Sequence, residues 1–153
     1  PGVLPTINEE AVRLALRAAI LLNCKINKTM YFDRKNYFYP DLPKGYQITQ
    51  QDTPIGYDGY VEIEVDGQTK KIEIEEIHIE EDTCKSAHRG SVTLLDFNRA
   101  GVPLIEIVTK PCISSAEEAK LYIEKLRETL LSKSSTITLQ TLVVTQTASP
   151  FGT

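Results

Sequence analysis

The most chemically unusual run in this 153-residue sequence places three consecutive acids between two histidines. It reads Ile77-His-Ile-Glu-Glu-Asp-Thr-Cys-Lys-Ser-Ala-His88. Glu80, Glu81 and Asp82 are hard oxygen ligands of the kind that magnesium takes, usually one or two carboxylates together with nucleotide phosphates. In an extended strand Glu80 and Glu81 point to opposite sides, so only one of them shares a site with Asp82 unless the backbone turns. The composition of the run leaves two interpretations open, a solvated acidic loop and a metal site.

A further acid, Glu106, lies inside the short apolar run Pro103-Leu-Ile-Glu-Ile-Val108. A carboxylate in such a run is costly to bury unless it is paired or bound to a metal. A metal ion shared with Glu81 would supply that partner. Glu106 therefore shifts the balance toward the metal-site interpretation of the acidic run.

Phosphate-binding side chains follow the acidic run. An arginine holds phosphate oxygens through a bidentate fork, and a lysine holds them as a point charge. The candidates of this kind are Lys85, Ser86, His88, Arg89 and Arg99. Their spacing matches neither a Walker loop nor a dinucleotide-binding glycine pattern, so no standard nucleotide-binding fold is indicated.

Aromatic residues are concentrated between positions 31 and 39. They are Tyr31, Phe32, Tyr37, Phe38 and Tyr39, with Arg34 and Lys35 among them. This pattern allows two interpretations. The rings can stack on RNA bases, or they can pack as a core-forming or lid-forming loop.

Composition limits the class of protein. The length suits one ordinary domain with a real core. A net charge of -4 excludes a global basic field for nucleic acid, so any RNA contact must be local or shared with a partner. The longest apolar stretch, residues 15–22 with Arg17 inside it, is far shorter than the roughly 20 residues of a membrane span, which excludes a transmembrane role. Because the chain starts at Pro1 and shows no signal peptide, we expect a part of a longer protein.

The three cysteines, Cys24, Cys84 and Cys112, form no Cys-x-x-Cys pair, and their number is odd. A zinc site or a disulfide framework is therefore not expected. Free thiols are typical of a reducing compartment, which predicts a cytoplasmic type of environment.

Two helices and several strands must position these side chains. Thr6 and Glu9 have capping-box spacing before a helical pattern over residues 11–22, and Ser115 and Glu118 have the same spacing before a second apolar stripe. Between them, residues 31–59 are rich in proline, glycine and aromatic residues, which predicts a long ordered loop.

A β-hairpin is the clearest local prediction. Residues 60–65 alternate strictly, Asp66-Gly67 supplies a turn dipeptide, and residues 69–75 alternate again. The parity of the isoleucines changes between Ile74 and Ile77, which predicts a bulge or bend near residues 75 and 76.

Residues 92–97 and 102–108 are also strand-like. After Leu131 the composition turns to serine and threonine with a single charge, so residues 132–153 are predicted to be a tail distinct from a domain over residues 1–131. Within that tail, residues 137–144 are compatible with a strand.

Several motifs resemble, in order, the B-type subunit of the tRNA-dependent amidotransferases, and the archaeal E-type subunit shares the same GatB/GatE catalytic domain. The motifs are Pro1-Gly-Val-Leu-Pro5, Phe32-Asp-Arg-Lys-Asn-Tyr-Phe-Tyr-Pro-Asp-Leu-Pro43, Pro54-Ile-Gly56, Ile77-His-Ile-Glu-Glu-Asp82 and Asp96-Phe-Asn-Arg-Ala-Gly-Val-Pro-Leu-Ile-Glu-Ile-Val108. The resemblance implies an α+β fold, a twisted antiparallel sheet with flanking helices that forms a cradle. It extends from Pro1 to about Leu131.

The resemblance also implies an activity, that of a carbon–nitrogen ligase with glutamine as the amido donor. An A-type amidase subunit releases ammonia, and a small C-type subunit clamps the complex. The B-type subunit phosphorylates the carboxylate of Glu-tRNA(Gln) or Asp-tRNA(Asn) with magnesium-ATP before ammonia displaces phosphate. A carboxylate is a poor electrophile until one oxygen becomes part of a phosphate leaving group, so magnesium and phosphate-holding cations are required. The location would be cytoplasmic, or an organellar matrix in a eukaryote.

Carried over to this chain, the resemblance assigns catalytic roles to Glu81, Glu106 and Lys85. Glu81 and Glu106 are the implied metal ligands, with Glu80 as a weaker third. The implied binding residues for ATP or the activated carboxylate are Ser86, His88, Asn98 and Arg99, whereas the implied role of Tyr37, Tyr39 and Tyr46 is to shape the cavity and the ammonia entrance.

This chain departs from the family at several points. The family's upstream Gly-Leu-Glu-Val-His-Val-like strand, which helps to hold the metal, is not in the sequence, so the cradle is expected to be incomplete. Cys84 replaces a glycine that allows close backbone approach to phosphate, and Lys110 and Cys112 stand where Glu-Pro-Asp is common. Two alternatives to catalysis therefore stay open, a tRNA acceptor-end binding module and an inactive fragment.

Overall fold

The computed structural model describes residues 6–132 and 142–146. The Pro1 to Pro5 motif, most of the serine- and threonine-rich tail and most of the strand expected over residues 137–144 lie outside these ranges. Within them the elements are α1 (Glu9–Leu21), β1 (Lys25–Ile26), β2 (Asp33–Asn36), β3 (Tyr46–Thr49), β4 (Gly56–Val65), β5 (Gln68–Glu81), β6 (Lys85–Arg89), β7 (Val92–Asp96), β8 (Pro103–Thr109), α2 (Ala116–Ser132) and β9 (Leu142–Gln146).

The strands form one main sheet and two separate hairpins. The main sheet has the order β1-β4-β5-β8-β9, and its pairs are antiparallel except for the parallel pair of β8 with β9. The pairs β2-β3 and β6-β7 are two-stranded antiparallel sheets of their own. This arrangement confirms the predicted α+β fold class.

The hydrophobic core lies between the two helices and one face of the main sheet. α1 contributes Ala15, Ala18 and Ala19, whose small side chains let the helix approach the strands closely. α2 contributes Tyr122, Leu126 and Leu130, and the sheet contributes mainly isoleucines. Each isoleucine or leucine side chain that is fully buried here stabilises the fold by about 1.5–3 kcal/mol.

The bulge in β5 is confirmed and decides which side chains face the core. The pairing of β5 with β8 shifts by a residue between Ile74 and Glu76. Because of this shift, Ile72 and Ile74 before the bulge and Ile77 and Ile79 after it all reach the same core despite their opposite parity. His78 and Glu80, which alternate with these isoleucines, therefore face the other side of the sheet.

The β4-β5 hairpin also agrees with its prediction. Asp66 and Gly67 both adopt positive φ, at 50° and 75°. A two-residue hairpin turn whose twist matches that of the flanking strands requires positive φ at both positions. The loop predicted over residues 31–59 is only partly correct, because β2 and β3 pair inside it. β2 is polar throughout and mostly exposed, and β3 buries its polar residues Gln47 and Thr49 rather than Tyr46 and Ile48, so neither strand shows the usual pattern of buried apolar residues.

The N-terminal boundaries of the two helices give opposite outcomes. The capping box predicted at Thr6 and Glu9 is wrong: Asn8 is the N-cap, since its side chain accepts a hydrogen bond from Ala11 N at 3.0 Å. At α2 the prediction is confirmed, because Ser115 Oγ accepts a hydrogen bond from Glu118 N at 3.1 Å.

Glu118 makes the start of α2 sensitive to acid. Its carboxylate pairs with Lys70 Nζ at 2.7 Å and accepts a hydrogen bond from Ser114 N at 2.7 Å, and these contacts lower its pKa from 4.5 to about 2. A depressed pKa contributes stability that is present above pH 4.5 and is lost as the pH falls toward 2. We expect Glu118→Gln to flatten this part of the curve of thermal midpoint against pH. If the thermal midpoint of the variant fell at low pH as steeply as that of the parent, Glu118 would not be the source of the acid sensitivity.

The chain beyond α2 returns to the main sheet, where β9 pairs with β8 from Ile105–Leu142 to Thr109–Gln146. The predicted domain boundary between residues 131 and 132 stays a prediction. Neither helix in the described ranges is long and apolar enough to cross a membrane.

Candidate functional site

Buried His78 lies among three carboxylates on the face of the main sheet that is turned away from the core. The register of β5 with β8 places His78 directly opposite Glu106. His78 Nε2 lies 3.0 Å from Glu106 Oε2 and 3.5 Å from Glu80 Oε2, and its Nδ1 lies 2.9 Å from Glu76 Oε1. We call His78, Glu80 and Glu106 the acid–histidine cluster.

Strand geometry brings these residues together. The bulge turns Ile77 and Ile79 toward the core, so that His78 and Glu80, which share the opposite parity, lie side by side on the polar face. On β8, Glu106 lies between the core residues Ile105 and Ile107 and faces the same side. The apolar run around Glu106 is therefore a strand with one polar side.

The charges of the cluster are strongly coupled. Burial alone would lower the pKa of His78, but hydrogen bonds with Glu106, Glu76 and Glu80 more than offset this and raise it to about 11. The hydrogen bond from His78 in turn lowers the pKa of Glu106, although burial opposes the shift. Thr145 of β9 donates a further hydrogen bond to Glu106 Oε1 at 2.9 Å. Both ring nitrogens of His78 face carboxylate oxygens, an arrangement that favours the protonated imidazole.

The cluster fits a divalent cation. One ligand atom each from His78, Glu80 and Glu106 lie within 4.8 Å of one another. Two carboxylates with open positions for phosphate and water suit magnesium, and an added imidazole also suits manganese. Binding would displace the imidazole proton, because a nitrogen that ligates a metal cannot carry one.

Glu81 lies on the other side of β5 from Glu106. Its carboxylate pairs with the ammonium group of Lys44 and accepts a hydrogen bond from Ile48 N at 3.0 Å. The structure thus brings the predicted ligands Glu80 and Glu106 together but not Glu81, whose metal role stays a prediction. His78 was not among the ligands predicted from the sequence, although its two-residue spacing from Glu80 places both on one face of a strand.

The β2-β3 hairpin and the residue after it hold the end of β5 in place. Pairing of β5 with β4 ends at Ile77 and Gly56. Beyond that point Gln50 Oε1 accepts a hydrogen bond from Ile79 N at 3.0 Å, and Gln47 Nε2 donates one to Glu81 O at 2.7 Å. These two side chains satisfy backbone groups on either side of Glu80 that β4 does not reach.

Replacing Gln50 by alanine is expected to cost about 1–3 kcal/mol in free energy of unfolding, because it leaves the buried Ile79 N–H without an acceptor. Chemical denaturation would measure the change. The matched control is Gln51→Ala at the neighbouring exposed position, where only the backbone N–H is bonded, and we expect little change there. Equal effects of the two substitutions would show that the hydrogen bond from Ile79 N to Gln50 does not stabilise the end of β5.

The predicted phosphate-binding residues lie on another part of the molecule. Lys85, Ser86 and His88 are exposed on β6, within the separate β6-β7 hairpin. Asn98 and Arg99 follow β7 in a turn, and Arg99 Nη2 contacts Asp82 Oδ2 at 2.8 Å. The roles of these five residues stay predictions.

The glycine-to-cysteine departure at position 84 falls where the chain leaves β5. Cys84 is buried, and its backbone N–H donates to Asp41 O at 3.0 Å. This N–H is therefore engaged with the loop that follows β2.

A cavity of about 300 Å³ lies beside the end of β5, and Phe32 is the one aromatic residue among the described residues that line it. Phe32, Arg34 and Ile48 line the cavity together with Glu81 and the residues around the start of α1. On the outside, Phe38 is 90% exposed. The cations of Arg34 and Lys44 lie 4.9 and 4.8 Å from the centre of the Tyr46 ring.

Comparison of the amino-acid sequence with those of known proteins places the chain in a family. A family model described as GatB/GatE catalytic domain matches residues 1–141. The curated protein from Limosilactobacillus fermentum is 60% identical over 128 residues, which are 84% of this chain and 27% of that protein. The proteins from Brevibacillus brevis and Staphylococcus aureus are 57% identical over 129 residues and 59% identical over 127 residues, in each case 83% of this chain and 27% of that protein. All three are named as the B-type subunit of aspartyl/glutamyl-tRNA(Asn/Gln) amidotransferase. The chain spans about a quarter of the length of these relatives.

Proposed function

The chain belongs to the GatB/GatE catalytic domain family, and from this membership we propose that it is part of the subunit that activates and amidates misacylated tRNA. The substrates would be Glu-tRNA(Gln) or Asp-tRNA(Asn). The side-chain carboxylate would be phosphorylated from ATP, and ammonia from a glutaminase subunit would then displace the phosphate. The relatives' printed names support the tRNA substrates.

The observation that carries this proposal is the acid–histidine cluster. A solvated acidic loop, the alternative interpretation of the same sequence run, would not bury His78 between Glu80 and Glu106. Phosphoryl transfer is catalysed mainly by positioning and by neutralising charge, and a carboxylate-bound cation does both. The cluster has the donor set that such a cation requires.

Each residue of the cluster has a distinct task in this proposal. Glu106 and Glu80 would hold the cation through carboxylate oxygens, and His78 would give up its proton and bind through Nε2. Bound magnesium-ATP supplies the phosphoryl group and neutralises the charge that develops on it. Thr145 fixes Glu106 by donating a hydrogen bond to Oε1, which leaves Oε2 for the cation.

Binding of the phosphates would fall to side chains outside the cluster. Lys85, Ser86, His88, Asn98 and Arg99 stay our candidates for this role. Of these, Arg99 is anchored by Asp82, which follows the metal-binding end of β5 directly in the chain.

The proposed partners and location rest on the family resemblance. We propose that the chain acts with an A-type amidase subunit and a small C-type subunit on misacylated tRNA, in the cytoplasm or in an organellar matrix. The net charge of -4 supports a tRNA-binding surface that is shared with a partner.

Calorimetric titration of magnesium-ATP into the purified chain tests the proposal. We expect saturable binding by the parent chain and at least a tenfold loss in Glu106→Gln, a variant that keeps the size of the side chain but removes its charge. Unchanged binding in the variant would contradict the cluster as the metal site. A folded parent that binds tRNA but no nucleotide would support the alternative of an acceptor-end binding module.

A further inference from the structure

Lys35 of β2 lies on the face of the β2-β3 hairpin that is turned toward the end of β5. The register of the hairpin pairs Lys35 with Gln47 and Asp33 with Thr49, so these four residues share a face. Two of them contact Glu80 and Glu81 at the end of β5. Gln47 Nε2 donates to Glu81 O at 2.7 Å, and Thr49 Oγ1 lies 3.5 Å from Glu80 Oε2.

Lys35 is the cation of this face. The neighbouring pair on the same face, Asp33 with Thr49, reaches Glu80 through Thr49 Oγ1, so Lys35 extends from the side of the hairpin that faces the cluster. The side chain of Lys35 is exposed, and among the described residues it forms no ion pair. The nearby cations Lys44 and Arg99 are both paired, with Glu81 and Asp82.

The charge balance at the cluster favours a phosphate as the ligand of such a cation. The charge of a divalent ion at the cluster is neutralised by the carboxylates of Glu76, Glu80 and Glu106. The phosphates of a nucleotide then bring further negative charge that the metal alone does not balance. A lysine ammonium is a compact point charge that binds phosphate oxygens well.

We propose that Lys35 binds the phosphate oxygens of the nucleotide whose metal ion is held by the acid–histidine cluster. This inference rests on the proposed function and adds to it a residue that neither the acidic run nor the phosphate-binding candidates after it include. It gives β2 a task in substrate binding, whereas Gln47 and Gln50 act on the backbone of β5.

Two titrations on the same variants test the inference, one with manganese alone and one with magnesium-ATP. For Lys35→Met we expect about a tenfold loss of affinity for magnesium-ATP, the size of one charge-assisted hydrogen bond. Affinity for manganese alone should stay the same or rise, because a cation near the carboxylates repels the metal. Lys35→Arg should recover most of the nucleotide affinity. Lys28→Met, which removes another exposed lysine seven residues earlier in the chain, is the matched control and should bind like the parent.

Three results would overturn the inference. Nucleotide affinity that is unchanged in Lys35→Met would show that the residue is only a counter-ion. An equal loss of manganese and nucleotide affinity would show that it acts through the geometry of the cluster. A folded parent chain that binds no magnesium-ATP would contradict the proposed function itself, and the inference with it.

Discussion

Replacing Gly59 by alanine is expected to lower the free energy of unfolding by about 3 kcal/mol, the upper part of the range for an overpacked core. Gly59 lies in β4, where the strand passes the end of α1. A Cβ atom there would collide with Cys24 Sγ and lie 2.7 Å from Leu22 O. The carbonyl cannot move away freely, because it accepts a hydrogen bond from Tyr60 N at 2.9 Å. Urea denaturation of the parent and the variant measures the difference.

Two further variants separate the collision from a general effect of losing a glycine. Gly67→Ala lies in the β4-β5 turn with φ of 75° and nothing within 4 Å of the added atom, so it should cost only the strain of a left-handed residue, about 1–2 kcal/mol. Adding Cys24→Ala to Gly59→Ala removes the sulfur but not the Leu22 carbonyl, so we expect partial rescue. If Gly59→Ala were as mild as Gly67→Ala, close packing of α1 on β4 would not limit stability.

Local patterns in the sequence predicted local structure well. The alternation on both sides of Asp66-Gly67 predicts the hairpin, and the change of parity after Ile74 predicts the bulge, because both depend on neighbours in the chain. The capping box predicted at Thr6 was wrong because a second N-cap candidate lies two residues later. Asn8 is the stronger N-cap and stands closer to the apolar stripe, so it starts the helix later than the Thr6 spacing indicates.

Which residues meet in the site depends on the pairing of strands that are distant in the sequence, and the sequence does not reveal this pairing. Strand alternation shows that Glu80 and Glu81 face opposite ways, but not which of them shares a face with Glu106. Which of the two shares a face with Glu106 depends on the register of β5 against β8. This register pairs His78 with Glu106, which are 28 residues apart in the sequence. The same pairing makes His78 a ligand candidate. The β2-β3 hairpin, which engages Glu81 through Lys44, gave no strand signal of its own.

The contrast between Glu80 and Glu81 can be measured directly. We expect Glu106→Gln to weaken the binding of manganese to the chain by about a hundredfold, at the upper end of the loss for changes around a metal site. Glu80→Gln should also weaken binding, because its carboxylate belongs to the same group of ligand atoms within 4.8 Å. Glu81→Gln should change the affinity less than about twofold, since the partners of its carboxylate, Lys44 and the Ile48 N–H, are not part of the cluster. Electron paramagnetic resonance of free manganese gives all three affinities.

The three variants decide between two geometries of the metal site. All of them replace a carboxylate by an amide of nearly the same size, so differences in affinity report on charge and ligation rather than on packing. A large loss in Glu80→Gln and Glu106→Gln with little change in Glu81→Gln would assign the metal to the polar face of β5 and β8. The opposite result, a loss in Glu81→Gln and Glu106→Gln but not in Glu80→Gln, would support the pair predicted from the sequence. It would require Glu81 to leave Lys44 and the end of β5 to turn when the metal binds, because in the present arrangement the two carboxylates lie on opposite sides of the strand.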